Sequence, residues 1–195
     1  MAVTLSFNIC QSADCKSFVF SETTGEYSAD NTSGWGTPNR DAADAETATL
    51  VVTTPDGDDY TFDLFAESPN WPTVDDDQEF VIDITDIGGS AGSKIADGLY
   101  LFRYTVTRTT ATPFSYTQQI QQLFYCNAKC AVNKMIAEID FECDCSVEDI
   151  NQALKAKAML YSLELAAACG ETDKFDNLLT ILDKLTKNTN CNSCN

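Results

Sequence analysis

Apolar and polar residues alternate along the first 125 residues in short segments that are separated by turn residues. Such alternation is typical of half-buried β-strands, because successive side chains of a strand point to opposite faces. The strands predicted in this way cover residues 3–9, 17–23, 48–54, 60–65, 79–85, 99–107 and 114–125. Seven short strands at this spacing predict a β-sandwich of the immunoglobulin-like type, with a jelly roll of similar strand count as the alternative.

Two local patterns refine this prediction. The run Pro55-Asp-Gly-Asp-Asp59 predicts a tight turn between two strands, with Gly57 supplying a positive φ. The run Asp97-Gly-Leu-Tyr100 has the layout of a tyrosine corner at the start of an immunoglobulin-like strand F. The Cys-Trp-Cys signature of true immunoglobulin domains is missing from the sequence.

The apolar spacing becomes helical from Cys126 onward. A first helix has an apolar face, and a third helix begins after Thr172. Between them, Ser146 and Asp149 form a predicted capping box for a second helix over Val147 to Cys169, which Gly170 ends. The predicted core positions of the first and third helices are Val132, Met135, Ile136, Ile139, Phe175, Leu178, Leu179, Leu182 and Leu185. Because the connections are short, the three helices should run up, down and up.

The second predicted helix is apolar on nearly every side between Ala156 and Ala168. The stripe expected to face its neighbours consists of Ile150, Leu154, Ala158, Tyr161 and Leu165. One stripe suffices for packing against one side of a bundle, so the remaining apolar residues indicate burial by more than one neighbour. The fold predicted for the whole chain is therefore α+β, with an immunoglobulin-like β-sandwich over residues 1–125 and a small Cys-rich three-helix module over residues 126–195.

The chain is strongly acidic, with a net charge of −18, of which residues 1–125 carry −14 and residues 126–195 carry −4. Such a surface repels nucleic acids and anionic lipids, although acidity also serves solubility alone. No apolar run is long enough for a membrane span, and the N-terminus lacks the basic and apolar regions of a signal peptide. The absence of histidine excludes Ser-His-Asp and Cys-His catalysis and His-ligated zinc.

The cysteines of the helical module are predicted to form two groups. Cys126 and Cys143 would be about 25 Å apart on an unbroken helix, so they belong to opposite ends of the module. One group is Cys126, Cys130 and Cys169, and the other is Cys143, Cys145, Cys191 and Cys194. The second group is the candidate zinc site, but the Cys-x-Cys half is uncommon in structural zinc sites, so reduced or disulfide-linked thiols are preferred. Cys10 and Cys15 are expected to be structural residues of the sandwich.

Neither cysteine pairs nor carboxylate clusters predict an enzyme. Cys191-x-x-Cys194 follows a helix C-terminus, where the helix dipole raises the pKa of a thiol instead of activating it. Two groups of carboxylates could bind calcium, but neither follows an EF-hand spacing. They are Asp56, Asp58 and Asp59, and residues 75–77, and both groups are expected to lie in solvated loops. We therefore expect no catalytic residues, no cofactor and no bound metal.

Several segments resemble a family of small virion proteins of crAss-like tailed bacteriophages. They are Leu5 to Cys10 with Cys15, Ser21 to Gly25, Gly34 to Asn39, Asp97 to Tyr100, Phe124 to Cys130, and Asn188 to Cys191. The resemblance implies a structural component of the virion, assembled in the host cytoplasm, and it supplies no catalytic residues. In these phages the genes of the family lie among structural and tail genes, which implies partners among the tail and portal proteins.

The function expected from the residues and the resemblance together is a ring-forming subunit of the phage neck or tail near the portal. A ring requires contacts between copies, and we expect them at Trp35, Trp71, Leu160 and Leu163. DNA would pass nearby without specific binding, and no membrane would be involved. The alternative is an immunoglobulin-like decoration or adhesion module that grips a host surface glycan with Trp35 and Trp71. An enzyme is not expected.

Overall fold

The computed structural model describes residues 6–23, 46–64, 79–108, 114–138 and 146–187. The chain divides into two compact units. The β unit comprises Met1–Ile95 and Tyr100–Gln121, and the helical unit comprises Ala96–Leu99 and Gln122–Asn195. The short segment Ala96–Leu99 thus groups with the helices, although it is embedded in the β part of the sequence.

The described β part of the chain contains seven strands in two antiparallel sheets. The strands are β1 (Ser6–Gln11), β2 (Ser17–Thr23), β3 (Glu46–Thr53), β4 (Asp59–Asp63), β5 (Glu79–Asp83), β6 (Gly98–Arg108) and β7 (Phe114–Phe124). One sheet has the order β1-β2-β5, and the other has the order β4-β3-β6-β7. The seven strands predicted from the alternating pattern are confirmed, and the arrangement is compatible with a β-sandwich.

Aromatic rings from the two sheets pack against each other. The ring of Phe18 in β2 lies 5.0 Å from that of Tyr100 and 5.4 Å from that of Phe102, both in β6. The ring of Phe20 lies 5.1 Å from that of Tyr104. All five side chains are buried, with exposed fractions of 1% or less. The period-two pattern therefore places two aromatic residues of β2 and three of β6 on the core faces of the two sheets.

Polar side chains shape the turn between β1 and β2. Ser12 Oγ accepts hydrogen bonds from the backbone amides of Lys16 and Ser17 at 3.1 and 3.0 Å, and it donates to Asp14 Oδ1 at 2.7 Å. This bond from Ser12, together with one from the Lys16 amide, lowers the pKa of Asp14 below its usual value of 3.8. Cys15 adopts a left-handed conformation with φ of 63° and is fully buried. The expectation that Cys15 is structural agrees with this placement.

The turn between β3 and β4 forms as its sequence predicts. The amide of Gly57 donates to the carbonyl of Thr54, and the amide of Thr54 donates to the carbonyl of Asp58, both at 2.9 Å. Gly57 has φ of 89°, which is the left-handed region that glycine enters without steric cost. Asp59 accepts a hydrogen bond from the Thr53 hydroxyl at 2.6 Å across the turn. Asp59 therefore has a local structural contact in this loop.

The helical unit contains three helices in its described part, α1 (Cys126–Glu138), α2 (Val147–Cys169) and α3 (Thr172–Lys187). The capping box of Ser146 and Asp149 is present at the start of α2, and Gly170 ends α2 in a left-handed conformation with φ of 68°. Both features confirm the predicted limits of this helix.

The three helices are antiparallel in succession, as the short connections predict. Lys129 near the start of α1 lies 3.8 Å from Glu164 near the end of α2. Gln152 near the start of α2 donates to the carbonyl of Leu185 near the end of α3 at 2.8 Å. These contacts place the end of α2 beside the start of α1, and the end of α3 beside the start of α2.

One apolar core holds the three helices together. Its buried members are Val132, Met135, Ala153, Ala156, Leu160, Leu163, Ala166, Phe175 and Leu182. Ile136, Leu178, Leu179 and Leu185 are partly buried and pack against it. The predicted inward faces of α1 and α3 are therefore confirmed for the described residues, and Ile139 lies outside them. None of the described helices has a stretch long and apolar enough to span a membrane.

Candidate functional site

The helix α2 has two apolar faces, and only one of them belongs to the core. The buried face consists of Ala153, Ala156, Leu160, Leu163 and Ala166. The opposite face exposes Val147, Leu154, Tyr161 and Leu165, with exposed fractions of 76%, 57%, 62% and 59%. The helix is thus apolar nearly all round, but its neighbours cover one side.

The sequence-based assignment of the two faces is wrong. The stripe predicted to point inward includes Leu154, Ala158, Tyr161 and Leu165, and all four are exposed. Leu160 and Leu163, which were predicted to contact other copies, are 7% and 0% exposed within their own unit. These two side chains are therefore not available for a contact between copies.

The exposed face of α2 gathers most of the large apolar side chains that are exposed in the described part of the chain. Four of the six such residues lie on it, and the other two, Val81 and Ile181, lie on β5 and α3. Scattered exposed apolar residues are ordinary, but a contiguous group is typical of an interaction site. We name Val147, Leu154, Ala158, Tyr161, Leu165 and Ala168 the α2 seam.

A second feature of the helical unit is the carboxylate at the start of α1. Asp97 accepts hydrogen bonds from the backbone amides of Asn127 and Ala128 at 2.9 and 2.7 Å. It thereby caps two of the amides that a helix N-terminus leaves without intrahelical partners, and its charge is favourable at the positive end of the helix dipole. This role was missed because Asp97 is 30 residues from Asn127 in sequence, and capping is recognised only from neighbouring residues.

The same carboxylate borders a cavity of about 430 Å³ between α1 and α3. The other acidic residue that lines this cavity is Asp183. Asp183 lies 2.7 Å from the ammonium of Lys187. Asp97 is bound to the two amides of α1, so both carboxylates have structural partners.

Replacing Asp97 with alanine is expected to lower the free energy of unfolding of the helical unit by about 2 kcal/mol, because two amides and the helix dipole lose their partner. Asp97→Asn should cost about half as much, since the amide oxygen still accepts a hydrogen bond. Chemical denaturation of the full chain, followed by circular dichroism and by amide exchange in the first turn of α1, measures both. Asp149→Ala in the exposed capping box of α2 is the matched control, with an expected loss of about 1 kcal/mol. Equal stability of Asp97→Ala and the wild type would contradict the capping role.

The cysteines in the described helices occupy the end of the unit that the sequence predicts. Cys126 and Cys130 lie one turn apart at the start of α1, and Cys169 ends α2, which returns to that end. Cys169 is exposed and carries no disulfide bond, and the same holds for Cys10 in β1. Among the described residues, the sulfur atoms of Cys126, Cys130 and Cys169 do not all lie within 4.8 Å of one another. Cys126 is part of a disulfide bond, so these three cysteines do not offer three thiols to one ion.

The other predicted site residues lie outside the described residues. They are Trp35 and Trp71, the candidate interface aromatics, and Cys143, Cys145, Cys191 and Cys194, the candidate zinc ligands. These assignments remain predictions.

Comparison with known proteins does not assign this chain to a family. The chain matches no family model and no curated protein.

Proposed function

We propose that this protein is a structural component of a bacteriophage virion, a ring-forming subunit of the neck or tail near the portal. The observation that carries the proposal is the α2 seam, which indicates a subunit that associates with other subunits. Its large apolar side chains are 57–76% exposed, on a strongly acidic protein. A chain with a net charge of −18 and such a face is suited to association through that face while the rest of its surface prevents aggregation. The resemblance to virion proteins of crAss-like phages supports the same role.

The distribution of charge supports a position near the DNA channel. The acidic excess lies mainly in residues 1–125, with −14 against −4 in residues 126–195. An acidic lining repels the phosphate backbone, so DNA would slide past without binding. The helical part, with its lower charge, opposes contact between copies less strongly.

For the β unit, we propose an immunoglobulin-like fold. If β1 to β7 correspond to strands A, B, C, C′, E, F and G, the sheets become A-B-E and C′-C-F-G. This assignment keeps A, B and E together and adds C′ to the sheet that contains C, F and G, as in immunoglobulin-like sandwiches. Rigid sandwiches of this kind present their surfaces at fixed geometry, which suits a particle subunit.

The proposal is tested on purified particles. We expect mass spectrometry to detect the protein in virions and cryo-electron microscopy to place it in a ring at the neck or tail. A protein that is absent from washed virions, or present only as an isolated decoration on the capsid, would refute the proposed role. The glycan-binding alternative depends on Trp35 and Trp71, and no observation on the described residues favours it.

A further inference from the structure

The exposed residues of the α2 seam follow the spacing of a coiled coil. Starting at Val147, alternating steps of four and three residues lead to Ala168. The polar Asn151 joins the six residues of the α2 seam to complete seven positions, and all seven are exposed. This 3.5-residue period keeps one face of a helix turned toward a partner helix over its whole length. Within its own unit, α2 uses a different face for packing.

We propose that two copies of this chain associate through the α2 seam, with the two α2 helices antiparallel and related by a two-fold axis. The inference rests on the proposed function, because it gives a geometry to the contact between copies. In this arrangement Ala158 faces the partner's Tyr161, and Leu154 faces the partner's Leu165. At the centre of the pair, the small Ala158 thus packs against a large tyrosine, so the two side chains together fill the space between the helices.

A parallel pair would be packed less well. Tyr161 would then face the partner's Tyr161, and Ala158 would face the partner's Ala158. Two bulky side chains would crowd one layer while the layer beside it would contain a gap. The sequence of sizes along the seam therefore favours the antiparallel direction.

The charges that border the seam favour the same direction. Lys157 and Glu164 lie on the same flank of the seam, on α2. In the antiparallel pair Lys157 lies beside the partner's Glu164, and symmetry produces this ion pair twice. In a parallel pair Lys157 would lie beside the partner's Ser162, and no ion pair would form at the flank. Flanking charges of this kind set partner choice and orientation in coiled coils.

The proposed pairing is isologous, so it joins copies two by two. A ring requires a heterologous contact, which a two-fold pair does not provide. The subunit would therefore use a second surface for ring closure, and the seam would join the two members of each pair.

Sedimentation of the full-length chain over a concentration series tests the pairing. We expect the wild type to form a dimer and Leu154→Glu to weaken its association about a hundredfold, because two copies of a buried apolar anchor become charged. The matched control is Ile181→Glu, which introduces the same charge at an exposed apolar residue of α3 that is off the seam. It should dimerise as the wild type does.

A charge exchange tests the direction of the helices. Lys157→Glu and Glu164→Lys should each weaken the dimer about tenfold through repulsion at two symmetric positions, and the double variant should restore it. Within one helix the two residues are about 10 Å apart, too far for direct pairing, so restoration must act between copies. Because Glu164→Lys also removes the 3.8 Å contact with Lys129, thermal unfolding is measured in parallel.

Three outcomes would overturn the inference. A wild-type chain that stays monomeric at every concentration refutes the pairing, and association that is unaffected by Leu154→Glu refutes the seam as its site. A double charge variant that remains as weak as the single variants refutes the antiparallel direction. None of these results bears on whether the protein is found in virions, so the pairing and the proposed function can fail separately.

Discussion

Replacing Phe18 with alanine is expected to lower the free energy of unfolding of the β unit by about 3–5 kcal/mol. Phe18 is fully buried, and its ring contacts those of Tyr100 and Phe102 in the opposite sheet. The substitution removes the apolar burial of one ring, leaves a cavity between the sheets and deletes two edge-to-face ring contacts. Chemical denaturation of the full chain, followed by the fluorescence and amide exchange of the β unit, measures the loss.

The control for Phe18→Ala is Val81→Ala in β5. Val81 is 55% exposed, so its truncation should change the free energy of unfolding by less than about 1 kcal/mol. If both substitutions cost the same, the rings of the two sheets do not form a packed core. The contact between β2 and β6 would then have to be abandoned.

Leu163→Ala in α2 is expected to destabilise the helical unit by about 2–5 kcal/mol, because the side chain is fully buried in the three-helix core. Leu165→Ala, two positions along the same helix, should cost less than about 1 kcal/mol, since its side chain is 59% exposed. Both substitutions replace a leucine of α2 with alanine, so they remove the same atoms from the same helix. The difference between them therefore reports only which face is buried.

This comparison is made by denaturation at low protein concentration, so that association does not add to the measured stability. The reverse order, with Leu165→Ala more damaging than Leu163→Ala in the monomer, would mean that the other face of α2 is in the core. The α2 seam and the inference built on it would then fail together. At high concentration Leu165→Ala should also weaken dimerisation, whereas Leu163→Ala should act mainly through folding.

Local patterns in the sequence were sufficient for several features whose physical cause is local. The alternation in β2 and β6 predicts strands because strand geometry itself has a period of two residues. The turn at Gly57 and the limits of α2 at Ser146 and Gly170 depend on capping and on positive φ, which involve residues within four positions of each other. These features required no knowledge of the rest of the chain.

Contacts that are distant in sequence were not predictable in this way. Asp97 and Tyr100 were predicted together as parts of a tyrosine corner, yet Asp97 caps a helix through the amide of Asn127, 30 residues later. The strand predicted over residues 79–85 ends earlier than expected, because residues 84 and 85 belong to the short 3₁₀ helix Ile84–Ile87, which Asp83 and Asp86 cap locally. The sequence around an acidic residue does not show which backbone amides donate hydrogen bonds to its carboxylate.

The sequence is sufficient to predict α2 as a long helix with apolar residues on more than one side, and to predict strands within residues 1–125. It did not determine which apolar side of α2 enters the core. Both stripes satisfy a helical period, so periodicity ranks them equally. The choice depends on the shape that α1 and α3 present, where small residues such as Ala153 and Ala156 allow close approach of the helices. Packing against α1 and α3 therefore buries this face and leaves the α2 seam exposed.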